Sequence, residues 1–192
     1  MIATWLVLHR ELVLPGVGVA VALCAGLGHA LLRLGRWGRV VAWLLAGAWA
    51  VVVLVLTLVP EAEPSNAREC LVGLTLPSPG AVEAVANVAL FVPLAYLAGV
   101  ASRRPWRVLA AAVLCSVGIE VVQGLLRRLG RACDTNDVAM NALGALLGCV
   151  LAVASLALSR AAERRGRRDA ARPAPPPGPP TASSPTPPRA RS

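Results

Sequence analysis

Apolar residues in this chain gather into five runs, at 12–32, 40–59, 82–101, 107–126 and 138–158. Each is near the ~20 residues a helix needs to cross a bilayer. Hydrocarbon offers no water to satisfy backbone N–H and C=O groups, so runs of this length fold as helices that bond internally. The pattern predicts an all-α fold, a polytopic transmembrane helix bundle of about five helices. Composition agrees: 56% of residues are hydrophobic and 15% are charged, whereas a soluble chain carries roughly a quarter charged residues. The third run is interrupted by Glu83, Asn87 and Pro93, which leaves a re-entrant or half-buried segment as its alternative.

The formal net charge is +9 and every basic side chain apart from histidine is arginine. Strong basicity can signal nucleic acid. Here the arginines stand in short clusters between apolar runs, a pattern that points to membrane orientation and not to nucleic acid. Arg33, Arg36 and Arg39 separate the first two runs, and Arg103, Arg104 and Arg107 the third and fourth. Arg160, Arg164, Arg165, Arg167 and Arg168 follow the fifth. Alternation puts all three clusters on one side, which the positive-inside rule makes cytoplasmic. The N-terminus and the long connection 60–81 then face outward, with Arg127, Arg128 and Arg131 as one discordant outer cluster. Arginine without lysine, with abundant Ala, Gly, Pro and Val, reads as a high-GC bacterial coding sequence. The expected location is therefore a bacterial plasma membrane, multi-pass, with the C-terminal tail cytoplasmic.

Three regions follow. Residues 1–39 are a first helix and its basic loop, residues 40–158 a membrane domain, and residues 159–192 an Arg/Pro-rich tail. The tail has too little apolar surface to order itself and reads as disordered, with arginines able to touch anionic lipid.

The residues that cost most where they stand are polar groups at membrane depth. A charge at the bilayer centre costs about 2.5–3.5 kcal/mol on insertion scales. Glu120 lies in the fourth run, about 9 Å below its outer end at the helical rise, with Gln123 on the same face. Asp137 opens the fifth run, and Asn141 follows one turn later. Gly144 and Gly148 continue that stripe at a spacing that suits close helix contact. Asn87 lies near the outer end of the third run. Asn87, Glu120, Gln123, Arg131, Asp134, Asp137 and Asn141 thus converge near the outer surface, in a topology derived from other residues. Each has a structural alternative: Asp134 or Asp137 as a helix cap, Asn141 as a cross-helix bond, the glycines as packing contacts. Glu120 is the one that capping and solvation do not explain.

Cys24, Cys115 and Cys149 fall in apolar runs as small core residues. Cys70 and Cys133 fall outside, where disulfides are permitted. Either they bridge, tying 60–81 to the segment carrying Arg131, or they are free thiols. No Cys/His spacing motif accompanies them, so no metal is assigned, and no cofactor is identified.

The polar residues sit in segments that resemble a known family. Asn87-Val88-Ala89-Leu90-Phe91-Val92-Pro93-Leu94 resembles the N-x-x-x-F-x-P-L segment of VanZ-like proteins. Ile119-Glu120-Val121-Val122-Gln123 resembles their I-E-x-x-Q segment. Gly130-Arg131, Asp134, Asp137, Asn141, Gly144 and Gly148 resemble their G-R-x-x-D-x-x-D-x-x-x-N-x-x-G-x-x-x-G segment. Thr57-Leu58-Val59-Pro60 resembles a preceding T-L-x-P helix end. The likeness covers residues 51–152, with Ala95 where Gly would be expected.

That family is named for a protein linked to low-level resistance to teicoplanin, a lipoglycopeptide, and most of its members have no assigned reaction. The resemblance implies a cell-envelope membrane protein that binds or modifies an amphiphile at the outer leaflet. The amphiphile would be a lipid-linked wall precursor or a lipoglycopeptide antibiotic. Glu120, Asp134 and Asp137 would be its acid–base or catalytic groups, and Asn87, Gln123, Arg131 and Asn141 would contact substrate. Whether it is an enzyme is open. The alternatives are carboxylates that hold a divalent ion, a small proton-coupled transporter, and a non-catalytic membrane assembly factor. Membrane lipids are the expected partners, and the oligomeric state is not specified.

Overall fold

The computed structural model describes residues 10–59, 73, 82–126 and 134–171. The fold is all-α, with five helices: α1 Arg10–Arg33, α2 Gly35–Leu58, α3 Val82–Ser102, α4 Pro105–Leu125 and α5 Thr135–Ala170. Helices α2 to α5 are long and apolar enough to cross a membrane. Helix α1 is 24 residues long, with a shorter apolar stretch at Gly18–Arg33. Large apolar side chains point outward along the bundle, among them Leu23, Leu44, Leu114 and Leu125. Soluble monomers do not expose apolar surface on this scale; lipid covers it here, and the chain is a membrane protein.

Lipid tails are as apolar as leucine, so helices in a bilayer associate through close packing and hydrogen bonds. Helix α3 is the hub. Phe91, Ala95 and Tyr96 are fully buried, and α3 touches all four other helices, α5 most extensively. Its contact with α5 is backbone against backbone: Gly144 lies against the Val88 carbonyl and Gly148 against the Val92 carbonyl. A Cβ at either glycine would overlap those oxygens. One turn beyond, Gly99 of α3 faces Ala152 of α5.

Hydrogen bonds complete the hub. The buried Tyr96 hydroxyl donates to the Ala25 carbonyl of α1 at 2.9 Å. It also meets Ser155 Oγ of α5 at 3.1 Å. Trp49 Nε1 of α2 donates to the Leu90 carbonyl of α3 at 2.8 Å. That bond falls just before Pro93, which lacks the N–H that would reach back to the Ala89 carbonyl.

The third run is therefore a continuous helix of 21 residues, not a re-entrant segment. Its Pro and Asn are tolerated because neighbouring helices surround it. The fifth helix also departs from the sequence reading. It does not stop at 158 but continues through Ala170, so the start of the arginine-rich region is helical. Ala, Arg and Glu are good helix formers and extend a helix already nucleated in the membrane. Glu163 stands four residues before Arg167, a favourable helical spacing, and Arg167 and Arg168 in the last turn suit the helix dipole. At 1.5 Å per residue α5 is about 54 Å long, well beyond a ~30 Å hydrocarbon core. Residues 172–192 lie outside the described residues.

The glycine contacts give a direct test. Gly148→Ala pushes a methyl group into the Val92 carbonyl and is expected to destabilise the bundle by about 1–3 kcal/mol. Gly118→Ala adds a methyl group where nothing lies within 4 Å and should leave stability unchanged or slightly raised. Thermal melting of the two variants in detergent, followed by helical signal, separates these outcomes.

Candidate functional site

At one end of the bundle α2 and α4 finish while α3 and α5 begin. The polar residues of four elements meet there. Glu120 is 5% exposed, Gln123 4%, Asn141 3%, and Ser116 is fully buried. Asn87, Asp134 and Asp137 are half-buried at the rim.

The start of α5 organises the cluster. Asp134 stands in the N-cap position, where its Oδ1 accepts the Asn136 backbone N–H at 2.8 Å. This satisfies one of the orphan donors of a helix start. The backbone N–H of Asp134 in turn donates to Glu120 Oε2 at 2.9 Å. The Glu120 carboxylate therefore sits at the positive end of the α5 dipole, which favours negative charge there. Asp137 lies in the first turn of α5, and its Oδ1 accepts from Asn87 Nδ2 of α3 at 2.6 Å. A charge-assisted bond of this kind is stronger than one between neutral partners. Thr135 Oγ1 exchanges contacts with the backbone of Gly73, accepting from its N–H at 3.2 Å and lying 3.3 Å from its carbonyl oxygen. That pair ties the connection between α2 and α3 to the same corner.

Three further bonds lie deeper. Gln123 Nε2 donates to the Thr57 carbonyl of α2 at 2.7 Å. The Thr57 hydroxyl donates back to the Val53 carbonyl at 2.8 Å. Asn141 Nδ2 donates to Ser116 Oγ of α4 at 3.0 Å. Its other amide atom, Oδ1, is buried without a hydrogen-bond partner among the described residues. An unpaired buried acceptor costs about 1–3 kcal/mol. Turning the amide over would trade an unpaired oxygen for an unpaired N–H₂, so one end of Asn141 lacks a partner among the described residues in either orientation.

Six of the seven residues expected at the site, Asn87, Glu120, Gln123, Asp134, Asp137 and Asn141, thus lie at one end of the bundle, linked in pairs across helices. The seventh, Arg131, lies outside the described residues, as do Cys70 and Cys133 and hence the bridge considered between them. Two participants were missed. Ser116 precedes Glu120 by four residues and Gln123 by seven, so helical spacing already put it on their face. Thr57 contributes its backbone carbonyl, and no side-chain pattern reports that. Asp134 is a cap and Asn141 bonds across helices, so both also do structural work. Among the described residues, no group of three His, Cys, Asp or Glu side chains is placed to hold a metal ion.

Residues 37–157 match the family described as VanZ/LLP1. No curated protein and no solved structure matches the chain. The matched span contains every residue of the cluster and begins after α1.

The Asn87–Asp137 contact can be measured on its own. In a double-mutant cycle with Asn87→Ala and Asp137→Ala, the two losses of stability should fall short of adding. The coupling expected for such a bonded pair is at least ~0.5 kcal/mol. Full additivity in detergent unfolding would mean that the bond contributes nothing to the folded state.

Proposed function

The chain belongs to the VanZ/LLP1 family, and on that premise we propose that its polar cluster binds or modifies an amphiphile of the bacterial cell envelope at the outer leaflet. The ligand class is a lipid-linked wall precursor or a lipoglycopeptide such as teicoplanin. The observation that carries this reading is Glu120, a carboxylate 5% exposed in a membrane-crossing helix. It is held at the start of α5, with the half-buried groups of Asn87, Asp134 and Asp137 beside it. Ionisable groups at membrane depth mark functional sites far more often than structural ones.

In this reading the rim faces headgroups while the apolar parts of an amphiphile stay in lipid. Asn87 and Asp137 offer polar contacts at the rim, with Arg131 three residues before Asp134 as the cation for an anionic group. Gln123 and Asn141 lie deeper, and the unpaired Asn141 Oδ1 accepts a donor from the ligand. Glu120 is placed to take or give a proton at the boundary between them. The arginine clusters at the other end set the orientation, with the C-terminal extension of α5 in the cytoplasm.

A second reading has its own support. Every polar residue of the cluster has a bond that ties one helix to another or caps one, which is what a non-catalytic assembly factor needs. Teicoplanin susceptibility of a sensitive bacterial host separates the two. Wild type, Glu120→Gln and Asp137→Asn are compared at matched membrane abundance. Protection by wild type with loss in both variants supports the envelope site. If the variants fail to accumulate in the membrane while wild type does, the cluster is structural. If wild type gives no protection over empty vector, teicoplanin is not the ligand.

A further inference from the structure

The opposite end of the bundle holds a second arrangement that the polar cluster does not use. Two tight turns meet there. The α1–α2 turn closes through Gly35, whose φ is 59°. The α3–α4 turn closes through Arg103, whose φ is 55°. Between them is a half-open cleft of about 230 Å³, counting its space open to solvent, lined by Leu31, Gly35, Gly38, Arg39 and Arg103. Gly38 lies against the Leu31 carbonyl, where a Cβ would overlap it. This close approach draws α2 against α1 and gives the cleft its floor.

Three features make this an anion site. Arg39 and Arg103 come from different turns, are both exposed, and have no hydrogen-bond or ion-pair partner among the described residues. On the Arg39 side, Arg33 reaches His29 at 3.4 Å and Arg36 lies 5.0 Å from the Trp37 ring centre; neither lines the cleft, nor do Arg104 and Arg107. No acidic residue occurs in 29–44 or 98–112 to neutralise the pair. Finally, Arg103 holds a left-handed backbone, which is strained for a residue other than glycine. It does so just after a helix end, where glycine is the favoured residue. What arginine adds at that strained position is a guanidinium on the residue that lines the cleft together with Arg39.

We propose that Arg39 and Arg103, which line this cleft, hold the phosphate of an anionic phospholipid headgroup. The lipid source follows from location. Trp37 and Trp106, 65% and 62% exposed, stand at the same helix ends, and exposed tryptophans at the ends of membrane helices mark the headgroup level. Guanidinium groups suit phosphate because their planar donors pair with two oxygens at once.

The test uses the full chain in lipid nanodiscs, with melting temperature as the readout. Discs of neutral phosphatidylcholine are compared with discs containing phosphatidylglycerol. Wild type should melt higher in the anionic discs. Arg39→Gln and Arg103→Gly should each lose most of that increase, while Arg36→Gln, which does not line the cleft, should keep it. Arg103→Gly guards against simple misfolding: it relieves the left-handed strain and should melt at or above wild type in neutral discs. The proposal is overturned if wild type gains nothing from phosphatidylglycerol, or if Arg36→Gln loses as much as the cleft variants, which would mean diffuse attraction. Inorganic phosphate added to neutral discs should give no comparable increase; an equal increase would overturn the lipid assignment in favour of a soluble phosphate.

Discussion

Helix α3 lies so close to α5 that two glycines of α5 rest on two carbonyl groups of α3. In a bilayer there is no gain from hiding apolar side chains from water, so this van der Waals contact replaces a hydrophobic core as the source of cohesion. The rest of the bundle depends on it. The contact sets the register in which Asn87 meets Asp137. It also brings α5 to α3 where Tyr96 can reach Ser155 and, on its other side, α1. Shifting α5 along α3 by one residue would move Gly144 and Gly148 off the seam and break those pairs together.

The proline in α3 belongs to the same design. A helix interrupted by Pro93 is a poor candidate to cross lipid alone, yet α3 is the most enclosed helix of the five. Enclosure makes the proline harmless, since neighbouring helices supply contacts and the Trp49 indole reaches the ladder just before the break. Small residues follow at Ala95, Ala98, Gly99 and Ala101, all buried, and let the other helices come in close. Polar and helix-breaking residues thus gather where protein surrounds the chain, and large apolar residues face outward to lipid.

The two ends of the bundle are chemically opposite. One holds the carboxyl and amide groups around the start of α5, bonded across helices to one another, to backbone groups and to Ser116. The other holds arginines at two tight turns. A membrane helix bundle with alternating direction places like segments on like sides, so the separation follows from topology. It gives the protein one end rich in carboxyl and amide groups and one end rich in arginine.

The number of helices and their approximate bounds, apart from the C-terminal end of α5, were readable in the chain because the bilayer imposes a length on apolar runs. The polar cluster was readable as well. Glu120, Gln123, Asp137 and Asn141 share depth as well as helical faces, and depth follows from counting along helices whose directions alternate. Pairing was not readable. That Gln123 finds the Thr57 carbonyl, that Ser116 holds Asn141, and that Glu120 takes the N–H of Asp134 all depend on how each helix is rotated about its axis. Rotation is set by which helix presents the glycines and which presents the carbonyls, a property of two surfaces in contact. The same limit explains the tail, where composition alone did not reveal that a membrane-nucleated helix would run on to Ala170. Spacing along one chain determines which residues share a face and a depth; packing between helices determines which of them touch.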